Sequence, residues 1–257
     1  MSLVTTDIAD GIARVTLNRP DKMNAISLDM LDEVLAAADA LRGADVNCVV
    51  LSGEGRAFCA GIDIASLSSL LGQDMDELII RRTHGDANRF QEFSLAWRKL
   101  EVPVIAALHG VCFGAGMQLA IGADIRVAAL ETKLSIMEMK WGLVPDMGGM
   151  TLFPQVLRDD VLRRLTYTAE IVEAEQALAY GLVTEVCEDP LARAMELAKQ
   201  IAAQSPSAVR AAKRLIAEAQ TGTTSSILMA ESVEQAALIG KQDQMAAVMR
   251  GMAKSEK

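Results

Sequence analysis

Two apolar-rich segments, residues 3–8 and 12–17, flank Asp10-Gly11, a favoured tight-turn pair, and predict a β-hairpin. Asn18-Arg19-Pro20-Asp21 then breaks the strand. Ser27 is placed to cap a helix over 28–42, with Leu28, Leu31, Val34, Leu35, Ala38 and Leu41 on one face. Residues 48–51 read as a short, β-branched buried strand that empties into the loop Ser52-Gly53-Glu54-Gly55-Arg56. Helical patterns follow over 64–71 and 75–100, then a strand over 104–108, a helix from 114 to 122 and a strand over 125–128. The recurring order of strand and helix with short connections predicts an α/β fold with largely parallel strands. A last strand is expected at 183–187. From Pro190 the pattern is helical, over 191–203, 207–220, 225–239 and 242–252, so the chain divides into a core of residues 1–195 and a helical region of residues 196–257.

Residues 102–123 carry no charge and are long enough to cross a bilayer. Pro103, His109, Gln118 and several glycines interrupt them, and the pattern changes midway, so a buried strand, a glycine turn and a buried helix are expected instead of a membrane span. The net charge of −9 opposes general nucleic-acid binding, which needs a Lys/Arg field, but leaves room for a phosphorylated ligand. Cys48, Cys59, Cys112 and Cys187 lie far apart with no histidine at ligand spacing, which predicts free thiols and no metal site. The first residues lack the basic and apolar regions of a signal peptide, and a cytoplasmic protein is expected.

Three segments carry candidate chemistry. In Phe58-Cys59-Ala60-Gly61-Ile62-Asp63-Ile64 a glycine among small residues after a buried strand lets the backbone approach a ligand, unless it simply turns into a helix capped by Asp63. In His109-Gly110-Val111-Cys112-Phe113-Gly114-Ala115-Gly116-Met117-Gln118 small residues open a buried helix whose first N–H groups are suited to an oxyanion. Leu119 stands where a dinucleotide fingerprint would place its third glycine. In the Met-rich stretch 134–149, Glu138 and Asp146 are carboxylates eight residues apart among apolar neighbours, where burial would raise their pKa values toward a proton shuttle's range. The alternatives are that Glu138 pairs with Lys140 or Lys133 and that Asp146 caps a helix opening at Gly148. His109 is expected in a structural hydrogen bond, Cys59 and Cys112 in the core, and Arg81-Arg82 on a solvated helix face.

Together these segments resemble the crotonase superfamily, the enoyl-CoA hydratase/isomerase family. The resemblance also rests on Asn18-Arg19-Pro20-Asp21-Lys22-Met23-Asn24-Ala25 and Tyr180-Gly181-Leu182-Val183 and covers nearly the whole chain. It implies a spiral of ββα turns, a C-terminal helical trimerisation region, and a homotrimer or dimer of trimers. It places oxyanion-hole donors on the backbone N–H groups of Ile62 and Ala115, and the CoA nucleotide along Lys22 and Ala25. Ala60, Gly61, Asp63 and Ile64, with Gly114, would line the pantetheine and thioester, and Lys254 would reach a neighbouring subunit's nucleotide. Coenzyme A would be part of the substrate, with no separate cofactor.

The family's hydratases hold a water with two glutamates. One falls on Glu138, the other on Gln118, and an amide neither takes nor gives a proton at neutral pH. The resemblance therefore implies double-bond isomerisation of an acyl-CoA in preference to hydration, with Glu138, Asp146 and Gln118 as the catalytic candidates. Val144-Pro145-Asp146 is similar to the segment in which dienoyl-CoA isomerases carry an additional acid. Another crotonase reaction, such as hydration or thioester hydrolysis, and a non-catalytic acyl-CoA-binding protein are the alternatives. The acyl pocket is expected between residues 67 and 100.

Overall fold

The chain opens with β1 (Val4–Ala9) and β2 (Ile12–Leu17), an antiparallel hairpin turning at Asp10 and Gly11, both at positive φ. The computed structural model describes residues 2–70 and 72–255, without the side chains of residues 67, 254 and 255; the role expected of Lys254 lies outside them. α1 (Leu28–Leu41) starts at Ser27, whose side chain accepts from the Met30 N–H, and buries Leu31, Val34, Leu35, Ala38 and Leu41, while Leu28 is only partly buried. β3 (Cys48–Gly53) runs parallel to β2, and α2 (Ile64–Ser69) and α3 (Arg89–Arg98) follow. Next come β4 (Val104–Leu108), β5 (Val111–Phe113), α4 (Ala115–Gly122), β6 (Ile125–Ala129) and β7 (Lys133–Ser135). α5 (Asp159–Thr168), β8 (Val172–Glu173), α6 (Ala174–Tyr180) and β9 (Glu185–Cys187) complete the core.

The large sheet has the order β1-β2-β3-β4-β6-β9, parallel except for the first pair. A small sheet has the order β5-β7-β8, and a bridge from Cys59 to Cys112 adds one more rung. Successive passes of the chain thus place a strand in the large sheet, then a short one in the small sheet: β3 then Cys59, β4 then β5, β6 then β7. This is the spiral of ββα turns that the resemblance implied.

Both faces of the large sheet are covered, which explains why β3 and β4 read as unbroken apolar runs. Val49, Leu51, Val104, Ala106 and Leu108 face the main core with α1, α3 and α4. Cys48, Val50, Ile105, Ala107 and Val127 face Ala194 and Ala198 of α7 (Pro190–Ala202). The division expected at 195/196 therefore falls inside a helix that belongs to the sheet's packing. The helices beyond it are α8 (Pro206–Thr221), α9 (Thr224–Leu238) and α10 (Gln242–Ser255). Arg210 donates to the Val46 carbonyl, and Lys213 to Val102 and to Asp124 at 2.8 Å, which moors α8 to the core.

The helix expected over 75–100 is broken. A π-helical turn, Asp76–Ile80, ends at Arg81, and a bridge between His84 and Ala87 reverses the chain. Asn88 then begins α3 with a capping box to Gln91, and its Nδ2 also donates to the Ile79 carbonyl, so the break is fastened from both sides. The sequence pattern also missed β5, β7 and β8, too short to show a period, and the helices α5 and α6. Among the described residues no helix is long and apolar enough to cross a membrane.

Candidate active site

The segment after β3 is sewn on two sides. Phe58 and Cys59 donate to His109 and Val111, and Phe113 donates back to Cys59. On the other side Ala60 donates to Met23, Ile26 donates to Gly61, and Asp63 donates to Ile26. Because Ile26 engages the groups on either side of Ile62, the N–H of Ile62 itself points the opposite way, as in any strand. Gly61 has φ +103°, and a Cβ there would lie 3.1 Å from the Phe113 carbonyl and 4.0 Å from the Ala115 nitrogen. Only glycine lets these two segments meet so closely.

Ala115 is the first residue of α4, and Gly114 before it has φ +49° and ψ −116°, with its N–H on the Ser135 carbonyl. This turn leaves the Ala115 N–H unpaired at the positive end of a wholly buried helix. Neither the Ile62 nor the Ala115 amide has a hydrogen-bond partner among the described residues.

The opening segment is held from within. Asn24, fully buried, accepts from the Arg19 N–H and donates to the carbonyls of Glu54 and Ala57. The Arg19 guanidinium donates to the Ala25 carbonyl and to Asp63 at 2.6 Å. That bond holds the Asp63 carboxyl below its usual range, and Asp63 also accepts from Ala65, as a cap would. Arg19 and Asn24 carried no individual role in the sequence, although both belong to the motif that marks the family.

Gln118, on α4 and 1 % exposed, joins the two stretches that carry the candidate acids. Its Oε1 accepts from the Met147 N–H at 2.8 Å and the Gly149 N–H at 3.1 Å. Its Nε2 donates to Glu138 Oε1 at 2.6 Å. Glu138 opens a short 3-10 turn, Glu138–Trp141, after β7, and its Oε2 is buried without a partner. A Cβ on Gly114 would lie 3.6 Å from Glu138 Oε1, so the carboxyl sits beside the Ala115 helix start. Burial raises the Glu138 pKa and the Asp146 charge adds to the rise, against the pull of the Gln118 hydrogen bond and backbone N–H groups. Asp146 lines the same cavity with its side chain exposed there, and the protein packed around it raises its carboxyl too.

The bland alternatives for these acids do not occur. Lys133 pairs with Glu173, and Lys140 stacks over the Trp141 ring. The short turn Gly149–Thr151 has no side-chain cap, so Asp146 does not serve it. His109 bonds the Gly55 carbonyl at 3.0 Å, and Cys59 and Cys112 are fully buried, with burial pushing the Cys59 thiol up to about 12. Arg81 pairs with Glu77 on the surface, whereas Arg82 binds the carbonyls of Ile79 and Ile80 and helps close the break before α3.

All these candidates line one cavity of about 870 Å³: Lys22, Ala25, Ala60, Gly61, Ile62, Asp63, Ile64, Gly114, Ala115, Gln118, Glu138 and Asp146. Leu70, Met75, Ile79 and Phe90 line it too, in the region where an acyl wall was expected. Met137, Trp141, Leu143 and Met147 also line it and carried no individual role in the sequence, as does Val144 of the Val144-Pro145-Asp146 segment. Among the described residues no three His, Cys, Asp or Glu side chains are grouped to hold a metal ion. Two unpaired amides near a buried carboxyl can polarise a carbonyl and move a proton from the carbon next to it.

The family model described as "Enoyl-CoA hydratase/isomerase" matches residues 7–256. A human protein named Delta(3,5)-Delta(2,4)-dienoyl-CoA isomerase, mitochondrial, is 34% identical over 220 residues, covering 82% of this chain and 67% of that protein. The 1,2-epoxyphenylacetyl-CoA isomerase of Escherichia coli (strain K12) is 31% identical over 238 residues, 87% of this chain and 85% of its own. The crystal structure of an enoyl-CoA hydratase from Bacillus anthracis superposes with a TM-score of 0.88 at 27% identity, covering 98% of this chain and 97% of that one. The cavity with its free amides and carboxyls, the ββα spiral and these matches place the chain among the enzymes of the enoyl-CoA hydratase/isomerase, or crotonase, family.

Proposed function

We propose that this enzyme moves a double bond along an acyl-CoA thioester through an enolate. The thioester oxygen accepts from the Ile62 and Ala115 amides, and the Glu138 carboxylate takes a proton from the α-carbon as the C–H electrons pass into the enolate. Asp146, whose raised pKa helps it take up a proton from solvent, passes that proton to a more distant carbon as the electrons shift to leave the double bond in its new place, and Glu138 then releases its proton to solvent. Product and substrate then have the same mass. The observation that carries this reading is the Glu138 carboxyl, which lines the cavity beside the Gly114 turn into α4. The dienoyl-CoA isomerase relative supports it. Glu138 alone among the two hydratase glutamate positions is an acid, which supports proton movement over addition of water.

Coenzyme A enters as part of the substrate, its nucleotide along Lys22 and Ala25, and no separate cofactor takes part. The protein works as a homotrimer or a dimer of trimers, joined through the C-terminal helices. A second reading, rearrangement of a ring-bearing acyl-CoA on the same amides, draws on the epoxyphenylacetyl-CoA isomerase relative and the wide apolar cavity. A panel of aliphatic, dienoyl and ring-bearing CoA thioesters, with products read by mass and NMR, separates the two. Addition of water or loss of CoA would replace both. In Glu138→Gln we expect double-bond migration to fall by about 10²–10⁴ with CoA affinity retained. Unchanged turnover in that variant would refute the assignment.

A further inference from the structure

Gln118 has almost no freedom left. Two backbone N–H groups, of Met147 and Gly149, converge on one of its atoms, and only the amide oxygen accepts. That fixes the flip of the amide and forces Nε2 toward Glu138 Oε1. The side chain is therefore committed at both ends, to an acid on one side and, on the other, to the loop that carries Asp146.

We propose that Gln118 is a positioning residue: it holds the Glu138 carboxyl by Oε1 and, through the Met147 and Gly149 amides, ties the Asp146 loop to the same side chain. This rests on the isomerase reading and refines it. A neutral donor facing Glu138 favours the ionised carboxylate and opposes the effect of burial, so the acid can act as a base. With its oxygen taken by two N–H groups, Gln118 has no acceptor left to orient an attacking water. The same commitment that places the base thus works against hydration. Glutamate cannot do this: one of its oxygens could take the two amides, but the other would meet Glu138 Oε1 with no proton between them unless the pair bound one. Two carboxylates at this separation titrate as a coupled pair, with one step displaced upward.

The test begins on the unliganded protein. Carboxyl-labelled glutamate is followed by ¹³C NMR against pH, with the Glu138 signal assigned by its absence in Glu138→Gln. In Gln118→Glu we expect the single Glu138 titration to become two coupled steps, the upper one more alkaline than in the wild type. An unchanged Glu138 titration would overturn the proposal. The kinetic counterpart is a kcat at pH 7 lowered by about 10²-fold, an acidic limb moved upward and a nearly unchanged KM. If Gln118→Glu is too unstable to study, the charge-swapped double variant Gln118→Glu/Glu138→Gln supplies the readout. It restores one amide against one carboxylate and should recover the lost thermal stability; no recovery would contradict the proposed pairing. Because the titration needs no substrate, a shifted titration in a protein that isomerises no thioester would leave the positioning role standing and remove the proposed reaction.

Discussion

At the scale of single residues, the account turns on two carboxyls that line one cavity. Glu138 and Asp146 were legible in the sequence because each is a lone acid in an apolar, Met-rich stretch. The partners of Gln118 were not, since they lie 29 and 31 residues away and are backbone groups. Their meeting follows from how α4 and the 145–149 loop pack. The environment of Asp146 has a consequence for stability. Its folded pKa is raised above the ordinary 3.8, so its contribution to stability is present below that value and is lost as pH rises through the raised one. At neutral pH the ionised group is a cost, and Asp146→Asn removes it. Thermal melts should show the variant more stable than the wild type at pH 7, with the gap closing as the pH falls below the ordinary carboxyl range. A gap of the same size at every pH, or a less stable variant, would contradict the assignment of burial as the cause.

At the scale of elements, the strands and helices with a strong period were readable: the first hairpin, α1 with its Ser27 cap, the buried β3 and β4, and the C-terminal helices. The failures share a physical reason. β5, β7 and β8 have two or three residues each, and the small sheet exists only because the spiral stacks them. Helical periodicity continues across residues 75–100, yet the side chains of Arg82 and Asn88 satisfy carbonyls there in a turn instead. Asn88→Ala would remove the α3 cap and the bond to the Ile79 carbonyl, costing about 1–2 kcal/mol of stability. Ile79 lines the cavity, so the loosened turn should raise KM for long acyl chains and leave short ones nearly unaffected. Steady-state kinetics on a chain-length series checks this; equal effects on all lengths would place the acyl chain elsewhere.

At the scale of the whole molecule, α7 covers the second face of the large sheet and α8 is moored to the core, but α9 buries none of its residues. Leu228, Met229 and Val233 on α9, and Met245 and Met249 on α10, are all at least half exposed. So much apolar surface on these two helices is what the proposed trimer contact would cover. The Arg214–Glu234 pair at 2.6 Å holds α9 on α8 within one chain. Met229→Glu with Val233→Glu should therefore leave the fold intact, by circular dichroism, and break the oligomer. Sedimentation equilibrium should then show a trimer or hexamer for the wild type and a monomer for the variant; the same mass for both would refute this face as the contact.

The central claim, that two free amides and one carboxyl make an enolate, is tested most directly by exchange of the α-protons of a saturated acyl-CoA in D₂O, followed by NMR. Such a thioester has no double bond to move, so exchange reports proton transfer to and from the α-carbon alone. The wild-type enzyme should catalyse this exchange and Glu138→Gln should not. Exchange that persists at the wild-type rate in the variant, or is absent from the wild type while CoA binds, would contradict it.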